Sequence, residues 1–574
     1  MDKPALTKFL SSYKNTVLAV FTAIFAAFVV CFPLTNTDIW WHLATAREML
    51  KSGAFLFQDP FSFTPSSDLW INLHWIFQLV TYGIHKLTGV AGLVAAKCLL
   101  FSLAWVILLY AIPGRKAAWF SVFILSVLAF QGRYLVLVRP AVFSLLFMAV
   151  FIFCLERYLQ RGKRSYLLYL LPLQVIWANS QGLFILGPVI FGLYAAGEIA
   201  DGLLGKKGIA QPLPRSRITQ QKPLELPLLA GFSLLACVIN PYGTKGLWYP
   251  FRLFARINAT GTDIYSDNVS ENMPFFSLLA EEPAYIYAVL IASTLLAVSF
   301  FYNREKVRIP HVLLCLAFLY LALLAKRNII LFYVTAAPIL CCYLPGCRLI
   351  PARVRGRAVK TGLKIFAAAV LAYLGTAHAS VIAISPKAEC ISPFRYPGEA
   401  VEYLRQYPVS GHMFNSIRDG GYLIWNLYPS GRVFIDGRLI IRSPMFFGQY
   451  LKVLDHPELF HGIRQKHDIT HVLLPTAIFY RYLNLARALY KNPDWRLVHT
   501  NGSSVLFVLD SLARTPALDV NSEETVENIR RRLLKTWHRE PYIREEAQAH
   551  LGRMLLALGA FSGADQVFSS MKKD

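Results

Sequence analysis

The sequence predicts a polytopic α-helical membrane protein of about 11 transmembrane helices, followed by a soluble α/β domain and a terminal helical segment. Three observations predict it. The chain is 55% hydrophobic over 574 residues, with a mean hydropathy of +0.43, and its apolar residues gather in repeated runs near the ~20 residues a helix needs to cross a bilayer. The basic residues, which give a formal net charge of +24, cluster in short loops that all fall on one side when the runs are taken as alternating spans. After about residue 385 the long runs stop, and short apolar stretches bounded by turn signals replace them. These observations divide the chain into a transmembrane domain at 1–385 with its first outer loop at 35–89, an extracytoplasmic α/β domain at 386–512, and a helical segment at 513–574.

Lys3, Lys8 and Lys14 precede the first apolar run and place the N-terminus in the cytoplasm. No small-residue cleavage site follows, so the run at 16–34 reads as an uncleaved first span. The first outer loop then holds a helix from Asp38 to about Lys51, a turn-rich stretch from Gln58 to Pro65, and an apolar helix at about 71–87. His74, Gln78, His85 and Lys86 on that last helix suit the outer interface better than a span. Further spans are expected at about 90–112, 117–131, 140–156, 166–178, 183–204, 224–239, 284–302, 310–325, 329–345 and 363–384. The inner loops between them carry Arg115 and Lys116, then Arg157, Arg161, Lys163 and Arg164, then Lys206 to Lys222, then Arg304, Lys306 and Arg308, then Arg348 to Lys360. The runs at 117–131, 166–178, 224–239 and 310–325 are short and end outward in polar residues. Such spans leave a cavity sunk below the outer surface, lined by Arg133, Arg139, Asn179, Gln181, Asn240 and Lys326.

In the C-terminal part, Gly398–Tyr407 is helical by pattern, and His412–Phe414, Val433–Ile435, Val472–Leu474 and Val505–Val508 read as strands. Asp419-Gly420-Gly421 and Asp436-Gly437-Arg438 read as turns. Leu551, Leu555, Leu558, Phe561, Ala564 and Phe568 fit one tetratricopeptide-like helix pair. A single repeat cannot bury its own face, so it must pack on the domain, on a helix at about 524–537, or on a protein partner.

Asp38 and His42 stand four apart, on one face of the first-loop helix, with Trp40 and Trp41 between them. An acid at a helix start is favoured structurally as a cap; it is also placed to act as a general base for an acceptor hydroxyl or amine. Asp59 opens an Asp-Pro turn and is the second candidate acid in the same loop. Arg133 and Arg139, with Lys326 and Arg327 on the same side, either snorkel to the interface or hold a phosphate by paired hydrogen bonds. His74, Asn179, Gln181, Asn240, Tyr242 and Lys245 are further cavity candidates, each with packing or turn chemistry as the plainer reading. Most of the nine cysteines lie in apolar runs, and no disulfide framework or metal-ligand spacing is visible. Nucleotide loops are absent too, and the basic charge is explained by orientation rather than by nucleic acid.

The arrangement resembles the GT-C class of polyprenyl-phosphate-dependent glycosyltransferases, most of all the protein-mannosyltransferase and aminoarabinose-transferase-like membrane proteins. The likeness rests on a first span, a large outer loop opening with Asp38, an outer juxtamembrane helix, and paired spans thereafter. It implies that Asp38 acts at the acceptor and that Arg133, Arg139, Lys326 and Arg327 hold the phosphate of a lipid-linked sugar donor. It also implies a multi-pass protein of the bacterial inner membrane, with no organic cofactor and an unspecified acceptor. The first loop departs from the class: it lacks the Asp-Glu pair of the mannosyltransferases and the Asp-x-Asp of metal-dependent oligosaccharyltransferases, which leaves a divalent metal open. At closer range, Asp38-Ile-Trp-Trp-His42, Asp59-Pro-Phe-Ser62, Arg139-Pro140, Asn240-Pro-Tyr-Gly243 and Phe434-Ile-Asp-Gly-Arg438 resemble bacterial membrane proteins of unassigned activity. The rival expectation is a membrane scaffold or assembly protein acting through its outer domain and helix pair.

Overall fold

The computed structural model of the chain describes residues 3–66, 69–111, 118–206, 224–258, 264, 268–347, 356–383, 390–392, 394–477, 480–538 and 540–571. Arg115 and Lys116, residues 207–222, and Arg348, Arg353 and Arg355 of the inner basic loops lie outside these. The residues cluster into two units. One comprises 1–32, 73–77 and 92–382; the other comprises 33–72, 78–91 and 383–574.

The first unit is helical. An apolar helix answers each expected span. Among the described residues, six are long and apolar enough to cross a membrane by length and composition, and Asn15–Val29, Trp119–Leu135, Ser165–Ala178, Glu225–Ala236 and Ile309–Leu324 are shorter. The four spans expected to be short are among the latter. At the centre lies Ile329–Tyr343, which buries nearly every side chain. It packs on Ala118–Gly132, Pro283–Tyr302 and Ile309–Leu324. A helix apolar all round is a buried helix, and this one has 78% of its apolar window inside the protein, against 11% for Ala358–Ala383. The latter therefore presents its apolar surface outward.

The segment expected as a juxtamembrane helix followed by a span is one element, Trp75–Ala111, broken at Gly89 (φ 65°, ψ −157°). Only glycine takes that backbone without strain, so the break falls where the sequence separated 71–87 from 90–112. The helix starts at Trp75 rather than 71.

The second unit contains a four-stranded sheet in the order β1-β2-β4-β3, from β1 (His412–Asn415), β2 (Ile469–Pro475), β3 (Trp495–Thr500) and β4 (Ser504–Leu509). β1 runs parallel to β2, and β4 is antiparallel to both of its neighbours. Two sequence expectations are corrected here. Val433–Ile435 is no strand; Val433 alone makes isolated bridges, to Met413 and Ser62. Asp419-Gly420-Gly421 is no turn; it lies inside the helix Ile417–Leu427. Ser416 starts that helix, its hydroxyl accepting the Asp419 N–H at 3.1 Å, which is the Ser-x-x-acid start signal. The glycines serve close approach instead. A side chain on Gly420 would strike the backbone of Ile435 and Asp436, and one on Gly421 the Thr37 carbonyl.

The terminal helices Pro541–Leu558 and Phe561–Met571 pack on each other and on Glu523–Thr536. Pro541–Leu558 also meets the domain helix Leu483–Lys491, so the pair packs within its own unit.

Candidate functional site

Asp38 belongs to the second unit and begins the helix Ile39–Ser52. Its own N–H donates to the buried Asn36 side chain at 3.2 Å. Asp38 already has helical backbone angles (φ −71°, ψ −26°), and its side chain caps no N–H of the helix. The carboxylate is therefore not consumed in the structural role that an acid at a helix start usually fills. The residue is half-buried.

Behind it the helix buries Ile39, Trp40, Trp41, Leu43, Ala44 and Met49. Trp40 meets Tyr396 and Tyr422 edge-on, at 5.7 and 5.2 Å between ring centres. The Tyr396 hydroxyl donates to the Asn36 carbonyl at 3.0 Å. Burial pushes that phenol well above its ordinary range, where it stays a donor. Gly437 completes the surroundings: a methyl group on it would run into Asp38 Oδ1.

His42 shares the helix but not the environment. It is 2% exposed, and its ring is tilted against the Trp41 indole with centres 3.6 Å apart. The Gln78 amide donates to its Nδ1 at 3.2 Å while exchanging two hydrogen bonds with Asn72. An imidazole accepting at Nδ1 carries its proton at Nε2.

Asp59 is fully enclosed. Its carboxylate accepts the Phe61 N–H at 3.0 Å, the Ser62 hydroxyl, and Arg438 Nη1 at 2.8 Å. Arg442 stands 3.6 Å away. Arg438 also forms a two-pronged pair with Asp436, Nε to Oδ1 at 2.8 Å and Nη2 to Oδ2 at 2.7 Å. Burial works against the charged form of Asp436, but the Arg438 guanidinium and its hydrogen bonds outweigh it and hold the carboxyl below the ordinary range. Two carboxylates and two guanidiniums thus balance in the interior. They tie the first loop to the turn whose Gly437 touches Asp38.

The expected phosphate-binding residues belong to the first unit. Arg133 follows the helix Ala118–Gly132; its guanidinium stacks over Phe130 and Tyr134, at 3.6 and 4.3 Å from the ring centres. Arg139 pairs with Glu271, and Lys326 with Glu282, both from the polar stretch before Pro283–Tyr302. Arg327 is exposed and adds to the positive field at Glu271. Lys326 also lies 5.5 Å from the centre of the Tyr285 ring. Arg139, Lys326 and Arg327 are thus gathered around one pair of acids.

Of the further cavity candidates, Asn179, Gln181 and Asn240 do structural work. Asn179 bridges the Val175 and Ile239 carbonyls at 2.8 and 2.7 Å and accepts from the Trp75 indole at 2.8 Å. Gln181 accepts from Ser144 at 3.0 Å and caps Leu183. Asn240 closes a turn by accepting the Tyr242 N–H at 2.8 Å, and Lys245 is exposed. Burial pushes the recessed His74 imidazole down to about 4.

Sequence reasoning missed a buried polar cluster in the first unit. His311 joins the Tyr343 hydroxyl at 2.8 Å and Glu156 at 2.9 Å, and Arg308 pairs with Glu156 and Glu198. The available signal was an acid and a histidine inside apolar runs. No group of three or more His, Cys, Asp or Glu among the described residues gathers as a metal-ligand set.

No protein-family model matches the chain, and no curated protein sequence does. Solved structures do. The oligosaccharyltransferase of Archaeoglobus fulgidus, determined with zinc and sulfate, superposes with a TM-score of 0.50 at 10% identity, covering 97% of this chain and 85% of that one. ArnT from Cupriavidus metallidurans in the apo state gives 0.48 at 13% identity, over 88% of this chain and 100% of that one. The arabinofuranosyltransferase AftD from Mycobacteria gives 0.44 at 13% identity, over 86% of this chain and 40% of that one. At such identities the likeness to the oligosaccharyltransferase is one of fold, and the fold is GT-C-like, as the sequence led one to expect.

Proposed function

We propose that the protein is an integral-membrane glycosyltransferase that moves a sugar from a polyprenyl-phosphate donor to an acceptor on the extracytoplasmic side. The N-terminus is cytoplasmic, and the domain at 386–512 with the helical segment at 513–574 lies outside. The carrying observation is Asp38: a half-buried carboxylate at the head of the first-loop helix, spared from capping it, in a chain with a GT-C-like fold. Asp38 takes the proton of the acceptor hydroxyl or amine as that atom attacks the anomeric carbon. The bond from that carbon to the phosphate oxygen breaks, its electron pair staying with the oxygen. Cations at Arg133, Arg139, Lys326 and Arg327 favour the charge that grows there. Asp59 and His42, enclosed as they are, hold the loop in shape for Asp38.

The test is incubation of the purified protein with labelled polyprenyl-phosphate sugars in the presence of cell-envelope extract, following loss of donor. Asp38→Asn should fold and still bind donor, with transfer reduced about 10²–10⁴-fold. Because the Asp38 side chain caps no N–H of its helix, the substitution removes no cap. An Asp38→Asn protein with full transfer activity would end the reading of Asp38 as the base.

A further inference from the structure

Cys31 lies just past the helix Lys3–Val29, its N–H donating to the Phe28 carbonyl at 3.0 Å, and is exposed. Cys98 lies inside the helix Trp75–Ala111 and is half-buried. The two thiols are hydrogen-bonded to each other. The residues beside them fix the same juxtaposition independently: the Lys97 ammonium lies 3.5 Å from the centre of the Phe32 ring. Cys31 and Phe32, consecutive in the chain, thus meet Lys97 and Cys98, also consecutive. Lys97 is 2% exposed and acts electrostatically on both sulfurs. All four residues belong to the first unit. The sequence gave no hint of the pair, because Cys31 and Cys98 stand in separate apolar runs with no spacing that relates them.

An exposed thiol beside a second thiol and a cation is arranged for exchange with a disulfide: the cation favours the thiolate, which is the attacking form. We infer that Cys31 and Cys98 are a redox pair, closing to a disulfide by exchange with an external disulfide, and that the bond clamps the chain around its first outer loop. The exposed Cys31 attacks first. Its thiolate bonds to one sulfur of the external disulfide, and the other sulfur leaves with the electron pair of the broken bond and takes up the proton Cys31 gave up. The Cys98 thiolate then attacks the Cys31 sulfur, forming the Cys31–Cys98 bond and releasing the second external sulfur, which takes up the Cys98 proton. Two protein thiols are oxidised, and one external disulfide is reduced to two thiols. In the orientation proposed above, Cys31 ends the first span on the extracytoplasmic side, where disulfides persist. The bond encloses residues 32–97, and with them the whole first outer loop at 35–89 that carries Asp38 and Asp59. Closing a long loop stabilises chiefly by restricting the unfolded chain. The pairing itself does not depend on the glycosyl transfer. Cys390 is the rival partner, because Leu34, close after Cys31 in the chain, donates to the Cys390 carbonyl at 2.6 Å.

The experiment uses the full chain in nanodiscs, reduced and then exposed to glutathione disulfide at pH 8, quenched with acid, alkylated at the remaining thiols and mapped by peptide mass spectrometry. The wild type should yield a Cys31–Cys98 linked peptide and retain little glutathione. Cys98→Ser should stop at a Cys31–glutathione mixed disulfide, Cys31→Ser should leave Cys98 a thiol, and Cys390→Ser should close the pair as the wild type does. The oxidised wild type should melt several degrees above the reduced form, and Cys31→Ser should show no such difference. An unreacted Cys31, a glutathione adduct that persists on it in the wild type, or a bond from Cys31 to Cys390 overturns the pair. The wild-type map decides this even where a variant fails to insert. Equal melting of the oxidised and reduced wild type overturns the clamp.

Discussion

Gly437 approaches Asp38 so closely that the hydrogen at its Cα is all the carboxylate leaves room for; a methyl group there would run into Oδ1. The contact links a residue of the first loop to a turn far along the chain. The turn is fixed by Asp436 and Arg438 on either side of the glycine. Asp38 is therefore positioned from outside its own helix, which is how a reactive carboxylate can be held without being spent as a cap.

Gly437→Ala tests that positioning. The added methyl must push Asp38 or the turn aside, an overpacking that costs about 1–3 kcal/mol, and a displaced base loses far more rate than stability. The expected result is a protein that inserts and melts a few degrees lower, with transfer reduced more than about ten-fold. Gly462→Ala is the control, because a Cβ there meets nothing within 4 Å; it should melt no lower and transfer sugar normally. Equal activities for the two variants would mean that the contact does not govern Asp38.

The buried Asp59–Arg438–Asp436 group should show in acid stability. Asp436 is held below the ordinary carboxylate range in the folded protein, against about 3.9 when unfolded. A group with a depressed folded pKa contributes its stability above the unfolded value and loses it as pH falls through the folded one. Stability from this pair is thus complete above about pH 5 and fades below about pH 4. Asp436→Asn leaves Arg438 one carboxylate short, and breaking a buried pair costs about 3–5 kcal/mol. Thermal unfolding of this variant at pH 7 should begin well below wild type, and the gap should narrow toward pH 3. A gap independent of pH would deny the ion pair its part.

Much of this was legible locally. Gly89 separates two helical segments because a positive φ interrupts a helix wherever the sequence around it is, and the apolar runs mark spans by composition alone. Asp59 was not legible. The proline after it signals a turn, but its Arg438 partner lies 379 positions away, beyond any local pattern. The two glycines after Asp419 were misread for a related reason. Their dipeptide speaks for a turn in isolation, whereas here it answers the backbones of Ile435 and Thr37 pressed against the helix. The pairing of Arg139 and Lys326 with Glu271 and Glu282 was equally hidden, since those acids stand in a polar stretch with no periodicity to place them.

The membrane orientation has its own test. The placement of the basic loops is the ground for proposing that the N-terminus lies inside and the C-terminal domain outside. A reporter active only outside should signal when fused at Lys573 and stay silent within 205–222. The opposite pattern would reverse the side on which the chemistry is proposed.

The last prediction concerns Arg139. Pro140 follows it and begins the turn into the helix Ala141–Arg161; proline is tolerated there because its missing N–H would have no partner. Its fixed backbone narrows where the Arg139 side chain can point, and in the structure that direction ends on Glu271. Burial raises the Glu271 pKa, but Arg139, with Arg327 and Lys326 beyond it, more than offsets this and keeps the carboxylate charged. A carboxylate seated on a guanidinium occupies the two-pronged geometry that a phosphate would use. If Arg139 holds the donor phosphate as proposed, Glu271 is an internal competitor for it. Arg139→Lys should weaken donor binding several-fold, because lysine supplies charge without the fork, and Arg139→Ala should weaken it more. Glu271→Gln should do the opposite and tighten binding by freeing the arginine. If Arg139 merely snorkels, lysine serves equally well, and neither Arg139→Lys nor Glu271→Gln should change affinity. Titration of a polyprenyl-phosphate sugar against the four proteins separates the two: equal affinities for wild type, Arg139→Lys and Glu271→Gln would remove Arg139 from the phosphate site.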